Sequence, residues 1–69
     1  MKLKYSVNNN VQFGGDHEVH NDDCLYYFEL TNKTYLGEFA SCRDAVQEAK
    51  KFHQQVNGCK YCCRPCHTS

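Results

Sequence analysis

The sequence predicts a small α+β fold, a short antiparallel sheet packed on one amphipathic helix. Three observations lead there. "SCRDAVQEAKKFHQQVNG" carries apolar residues at helical spacing; "LYYFEL" and "TYLGEF" are rich in the aromatic residues that suit a pleated surface; and "TNK" between them reads as a turn. At 69 residues the chain is one domain. Such a short chain has no Trp and buries little apolar area, so a covalent or metal staple is expected.

In chain order, Leu3, Tyr5 and Val7 alternate, so Lys2 to Val7 either forms a strand or stays a loose arm. "NNN" and "GG" then break the pattern as turns. Residues 1–16 are therefore an N-terminal arm or edge strand, and 17–69 are the body of the mini-domain. His17 and Asp16, after the glycine pair, read as solvated loop. "EVHNDDC" places Val19 between Glu18 and His20, followed by the turn-forming "NDD". Leu25 to Leu30 and Thr34 to Phe39 make a β-hairpin centred on Asn32 and Lys33, with Gly37 marking a bulge or a close backbone approach. Tyr26, Tyr27, Phe28, Tyr35 and Phe39 read as core and sheet packing.

The helix is expected from Cys42 to Val56. Ser41 is its N-cap, with Asp44 completing a shortened capping box. Ala45, Val46, Ala49, Phe52, His53 and Val56 share one face, and Asn57-Gly58 is the stop. Cys42, on that face, reads as a small hydrophobe, and His53 as a packed boundary histidine.

Formal charge is zero with histidines neutral, which argues against binding nucleic acid through phosphate neutralisation. No apolar run is long enough to span a bilayer. "MKLKYSVNNN" lacks the apolar stretch and cleavage site of a secretory signal, which points to the cytoplasm, where thiols stay reduced. In that compartment six cysteines are better explained by metal than by disulfides.

The chemistry concentrates in two short motifs, His20-x3-Cys24 and Cys59-x2-Cys62. Zinc takes four tetrahedral ligands from thiolate and imidazole, and each pair can grip one cation across a tight turn. Closing the long loop between them is a task suited to a metal clip. Other tail pairings remain open: Cys63-x2-Cys66, Cys62-x3-Cys66, or His67 as a substitute ligand. Adjacent Cys62 and Cys63 are expected to diverge and not to bind one ion together, and His67 reads as a frayed terminal residue. A redox role for the C-x2-C pair is disfavoured, because the expected helix C-terminus before it opposes a thiolate.

With "HNDDC", "TYLGEF", "SCRDAVQEA" and "NGCKYC" in this order, the chain resembles the N-terminal zinc-binding domain of the bacterial DNA-repair protein Ada and its small stand-alone relatives. The match runs from about Glu18 to Cys62. The resemblance implies one structural zinc held by His20, Cys24, Cys59 and Cys62. In that family the first cysteine of the upstream pair accepts a methyl group from DNA; here His20 takes its place, and an imidazole cannot do that chemistry. The Arg-rich tail that helps the family hold DNA is reduced to Arg64. The expectation is a cytoplasmic, monomeric zinc-binding module and not an enzyme, with a protein or nucleic-acid partner and no small-molecule substrate. The alternatives are a nucleic-acid-binding module or a thiol redox protein.

Overall fold

The computed structural model describes residues 2–11, 14–25, 27 and 30–67. Among these residues four strands and one helix follow in the order β1 (Leu3–Asn8), β2 (His17–Asn21), β3 (Lys33–Phe39), α1 (Cys42–Ala49) and β4 (Val56–Gly58), with a short 3-10 turn at Arg64–Cys66 after them. The strands form one sheet in the order β3-β1-β2-β4. The helix packs against it, giving the α+β architecture.

The N-terminal segment is neither an arm nor an edge. β1 pairs antiparallel with β2 on one side and with β3 on the other. Its central place explains why Tyr5, Ser6, Val7 and Asn8 are all buried, where a half-exposed strand would alternate. Tyr5 and Val7 point to one face; Ser6 points to the other, where its hydroxyl meets the Tyr27 hydroxyl at 3.0 Å.

The expected hairpin between Leu25–Leu30 and Thr34–Phe39 is not seen among the described residues, where β3 takes β1 as its partner. Among the described residues of the first segment, Leu25 is in a turn and Tyr27 in a 3-10 turn; Tyr26, Phe28 and Glu29 lie outside the described residues. The backbone bonds there are turn bonds, from Tyr27 N–H to the Cys24 carbonyl and from Leu30 N–H to the Tyr27 carbonyl. That winding brings Tyr27 over Ser6. Of the two readings of Gly37, a bulge or a close backbone approach, the structure shows the bulge. Tyr5 pairs with Gly37 and Ser6 with Tyr35, leaving Leu36 as the extra residue, and Gly37 takes φ 123°, which a residue with a Cβ resists.

The helix stops at Ala49, well before the expected Val56. Its last turn tightens, with Lys51 N–H reaching the Glu48 carbonyl and Phe52 N–H the Ala49 carbonyl. The chain then becomes extended, because Val56–Gly58 pairs in parallel with His17–Val19. A ladder of sheet bonds thus takes residues whose spacing also fitted a helix, and the sheet is mixed where an all-antiparallel one was expected. Ser41 has the extended backbone of an N-cap but makes no side-chain capping bond, so the capping box with Asp44 is not formed. Ala45 and Ala49 are fully buried, and their small side chains let the helix lie close on the sheet. Phe52 was expected on this face but remains 53% exposed, beyond the helix end.

Candidate metal centre

β2 carries His20 to the end of the sheet, and "NDD" turns the chain so that Cys24 comes back beside it. Asn21 organises this turn. Its side-chain oxygen accepts from Asp23 N–H at 3.0 Å, and its carbonyl accepts from Cys24 N–H at 3.1 Å. From the other side, β4 delivers Cys59. Its N–H donates to the Val19 carbonyl at 2.9 Å, extending the parallel ladder beyond the strand. A tight turn follows, with Cys63 N–H bonded to the Cys59 carbonyl at 2.9 Å, and Cys62 folds back over Cys59.

The structure brings together all four residues singled out from sequence. The donor atoms of His20, Cys24, Cys59 and Cys62 lie within 4.8 Å of one another. The Cys24 and Cys59 sulfurs are 3.8 Å apart, and Cys24 Sγ is 3.6 Å from His20 Nδ1. A tetrahedral ion with zinc-like bond lengths has edges of about 3.8 Å between sulfurs and about 3.5 Å between sulfur and nitrogen. The two edges at Cys24 match that spacing, and all four donors are close enough together to hold one cation.

The surroundings suit a cation with thiolate ligands. His20, Cys24 and Cys59 are buried, and Cys62 is half-buried. Burial pushes the Cys59 thiol up to about 12 despite backbone N–H groups that favour its thiolate. A hydrogen bond with Cys63, followed by burial, raises Cys62. Burial also lowers His20, holding the imidazole in the neutral form that can ligate. Three clustered thiolates, two of them buried, are costly without a counter-charge, and a divalent cation supplies one. Two backbone groups are aimed at sulfur: Asn21 N–H at Cys62 Sγ and Tyr61 N–H at Cys59 Sγ, each at 3.4 Å. With His20 Nδ1 facing Cys24, Nε2 faces away and has no hydrogen-bond partner among the described residues. Glu18 Oε1 stands 3.5 Å from it, outside hydrogen-bond geometry but placed to orient a ligating imidazole.

Sequence reasoning missed Asn21. Besides forming the turn, it donates from Nδ2 to the Cys62 carbonyl at 3.3 Å, so one residue ties the two motifs together. Its signal was an Asn between the two ligands of one pair, ahead of acidic turn residues.

The remaining cysteines and histidines depart from expectation. Cys42 is not a packed thiol: it forms a disulfide with Cys66. This removes Cys66 from the alternative ligand pairs, and it means that two of the six cysteines serve a covalent staple. Cys62 and Cys63 do not diverge; their sulfurs lie 3.6 Å apart, because the 59–63 turn folds both inward. Cys59 follows β4, so no helix C-terminus opposes its thiolate as expected. His67 is anchored, its Nδ1 3.0 Å from the Gly58 carbonyl. Asp16 and His17 are not loose loop either. Asp16 accepts from Gln55 Nε2 at 2.8 Å and from Asn57 Nδ2 at 3.3 Å. His17 opens β2 and stacks on His53 with ring centres 3.7 Å apart, while His53 Nε2 lies 2.9 Å from Asn9 Oδ1.

Beside the cluster lies a cavity of about 460 Å³, lined by Asn21, Asp23, Cys24, Leu25, Tyr61 and Cys62. Leu25 is 88% exposed at its rim and Tyr61 65%. Among the described residues no helix is long and apolar enough to cross a membrane. No known protein family, curated protein or solved structure matches this chain.

Proposed function

We propose that this protein is a zinc-binding module whose ion is structural, and that it acts by presenting a surface to a macromolecular partner. The reading is carried by one observation: four donors from sequence-distant segments lie within 4.8 Å of one another, and the two edges at Cys24 have tetrahedral lengths. Three thiolates and one imidazole are a set that favours zinc over the harder divalent cations. Four protein ligands leave no open position for a substrate or an activated water, so the centre holds the fold and performs no catalysis. The resemblance to the Ada-type domain supports the same reading, with His20 in place of the methyl-accepting thiol excluding the repair reaction. Leu25 and Tyr61, exposed beside the centre, are the partner-facing residues. Zero net charge favours a protein partner over a nucleic acid.

Native mass spectrometry tests the first half of the reading and is expected to find one zinc per chain. Chelation tests the second. Structural zinc in small peptides contributes about 10–16 kcal/mol of apparent binding energy, so stripping it abolishes the dispersed amide spectrum and the cooperative melt. A metal-free chain that melts cooperatively at the same temperature refutes the structural role.

A further inference from the structure

Four thiols lie outside the disulfide, Cys24, Cys59, Cys62 and Cys63, and a shell of three thiolates and one imidazole uses only three of them. The fourth is no surface group. Cys63 is fully buried, in the same core cluster as Cys24 and Cys59. Its sulfur is 3.6 Å from Cys62 Sγ, close to the edge of about 3.8 Å between two thiolates on one tetrahedral ion. The backbone holds it there from both sides: Cys63 N–H donates to the Cys59 carbonyl, and Cys66 N–H donates to the Cys63 carbonyl, each at 2.9 Å. The cluster therefore offers five donors to an ion that takes four.

We propose that Cys63 is a fifth donor of the metal centre. It gives the site a second, all-thiolate shell of Cys24, Cys59, Cys62 and Cys63, which a soft cation of the cadmium class occupies with His20 released. The inference rests on the metal-binding reading above. Soft cations prefer thiolate to imidazole, and His20 is the one nitrogen donor of the set. Cys63 lies outside the four donors grouped within 4.8 Å, so the exchange shifts the ion toward the Cys62–Cys63 edge as the imidazole leaves. The lesser role for Cys63 is that of a hydrogen-bond partner of Cys62. Serine keeps a donor of similar size but ligates a soft ion poorly, so Cys63→Ser separates the two roles.

The experiment titrates cadmium into the disulfide-intact chain as wild type, His20→Ala, Cys63→Ser and the double variant. Thiolate ligands are counted from sulfur-to-metal charge-transfer absorbance and from the cadmium-113 shift. Wild type and His20→Ala are expected to bind one cadmium with a four-thiolate signature, and Cys63→Ser with a three-thiolate one. The double variant should bind on the order of 100-fold more weakly than His20→Ala, or not at all. Three thiolates in the wild-type cadmium form overturn the proposal. So does a His20→Ala chain that fails to bind, or one indistinguishable from the double variant. Zinc stoichiometry of the wild type keeps the two readings apart. If the wild type takes up no zinc, the metal-binding reading itself fails. One zinc per chain with a three-thiolate cadmium form sinks the role of Cys63 alone.

Discussion

The sulfurs of Cys24 and Cys59 lie 3.8 Å apart, although the two residues are 35 positions apart in the chain. The parallel pairing of β4 with β2 creates this contact. Val19 pairs with Gly58, so the next residue on one strand and the turn after the other arrive at the same corner.

Glu18 is expected to tune the centre without touching the ion. Its carboxylate is 3.5 Å from the outward nitrogen of His20. Glu18→Gln removes the charge that orients the imidazole, and zinc affinity should fall by about 10- to 100-fold. Competition with a coloured chelator measures this directly; unchanged affinity would remove Glu18 from the metal centre.

Gly58→Ala should destabilise the fold. An added Cβ would stand 2.7 Å from Cys66 Cβ and 2.9 Å from the Cys63 carbonyl oxygen. One neighbour is held by a disulfide and the other is backbone, so neither yields cheaply. Overpacking of this kind costs about 1–3 kcal/mol, readable as a lower midpoint in thermal melts. A melt superimposable on wild type contradicts the close approach.

The Cys42–Cys66 disulfide closes a loop between residues 24 apart. Loop-closure entropy for that length gives about 3–4 kcal/mol. The Cys42→Ser, Cys66→Ser double variant should lose stability of that order in urea while still binding one zinc per chain. Loss of zinc stoichiometry would mean that the disulfide belongs to the ligand framework.

Acid should loosen the far end of the sheet. Burial lowers the His53 pKa, and the neighbouring His17 lowers it further. The unfolded chain therefore takes up the proton first. Stability from neutral His53 is complete above the ordinary histidine value of about 6.5 and is lost as pH falls from there through its folded value. An NMR titration should place His53 below 6.5, and His17→Ala should raise it. A His53 that titrates unchanged in that variant removes the coupling.

Much of the candidate site was legible in the sequence because ligand chemistry is local. A histidine and a cysteine on either side of a turn-forming "NDD", and a C-x2-C pair after a glycine, announce two halves of one clamp whatever the fold between them. Cys42 and Cys63 were not legible. Whether a cysteine becomes a disulfide partner, a core thiol or a ligand depends on which sulfur meets it in space, and spacing along the chain does not carry that.

The sequence by itself determined the α+β class, the start of the helix and the residues of the His/Cys cluster, and it narrowed the first segment to a strand or an arm and Gly37 to a bulge or a close approach, because each rests on local periodicity or side-chain chemistry. Tertiary structure alone decided that β1 is central, that β3 pairs with β1, and that Val56 leaves the helix for a parallel strand. Backbone hydrogen bonds between distant segments decide those choices, and they are indifferent to which side chains lie next to one another in sequence. In a core this small, a few such bonds outweigh the local preference of a helix turn.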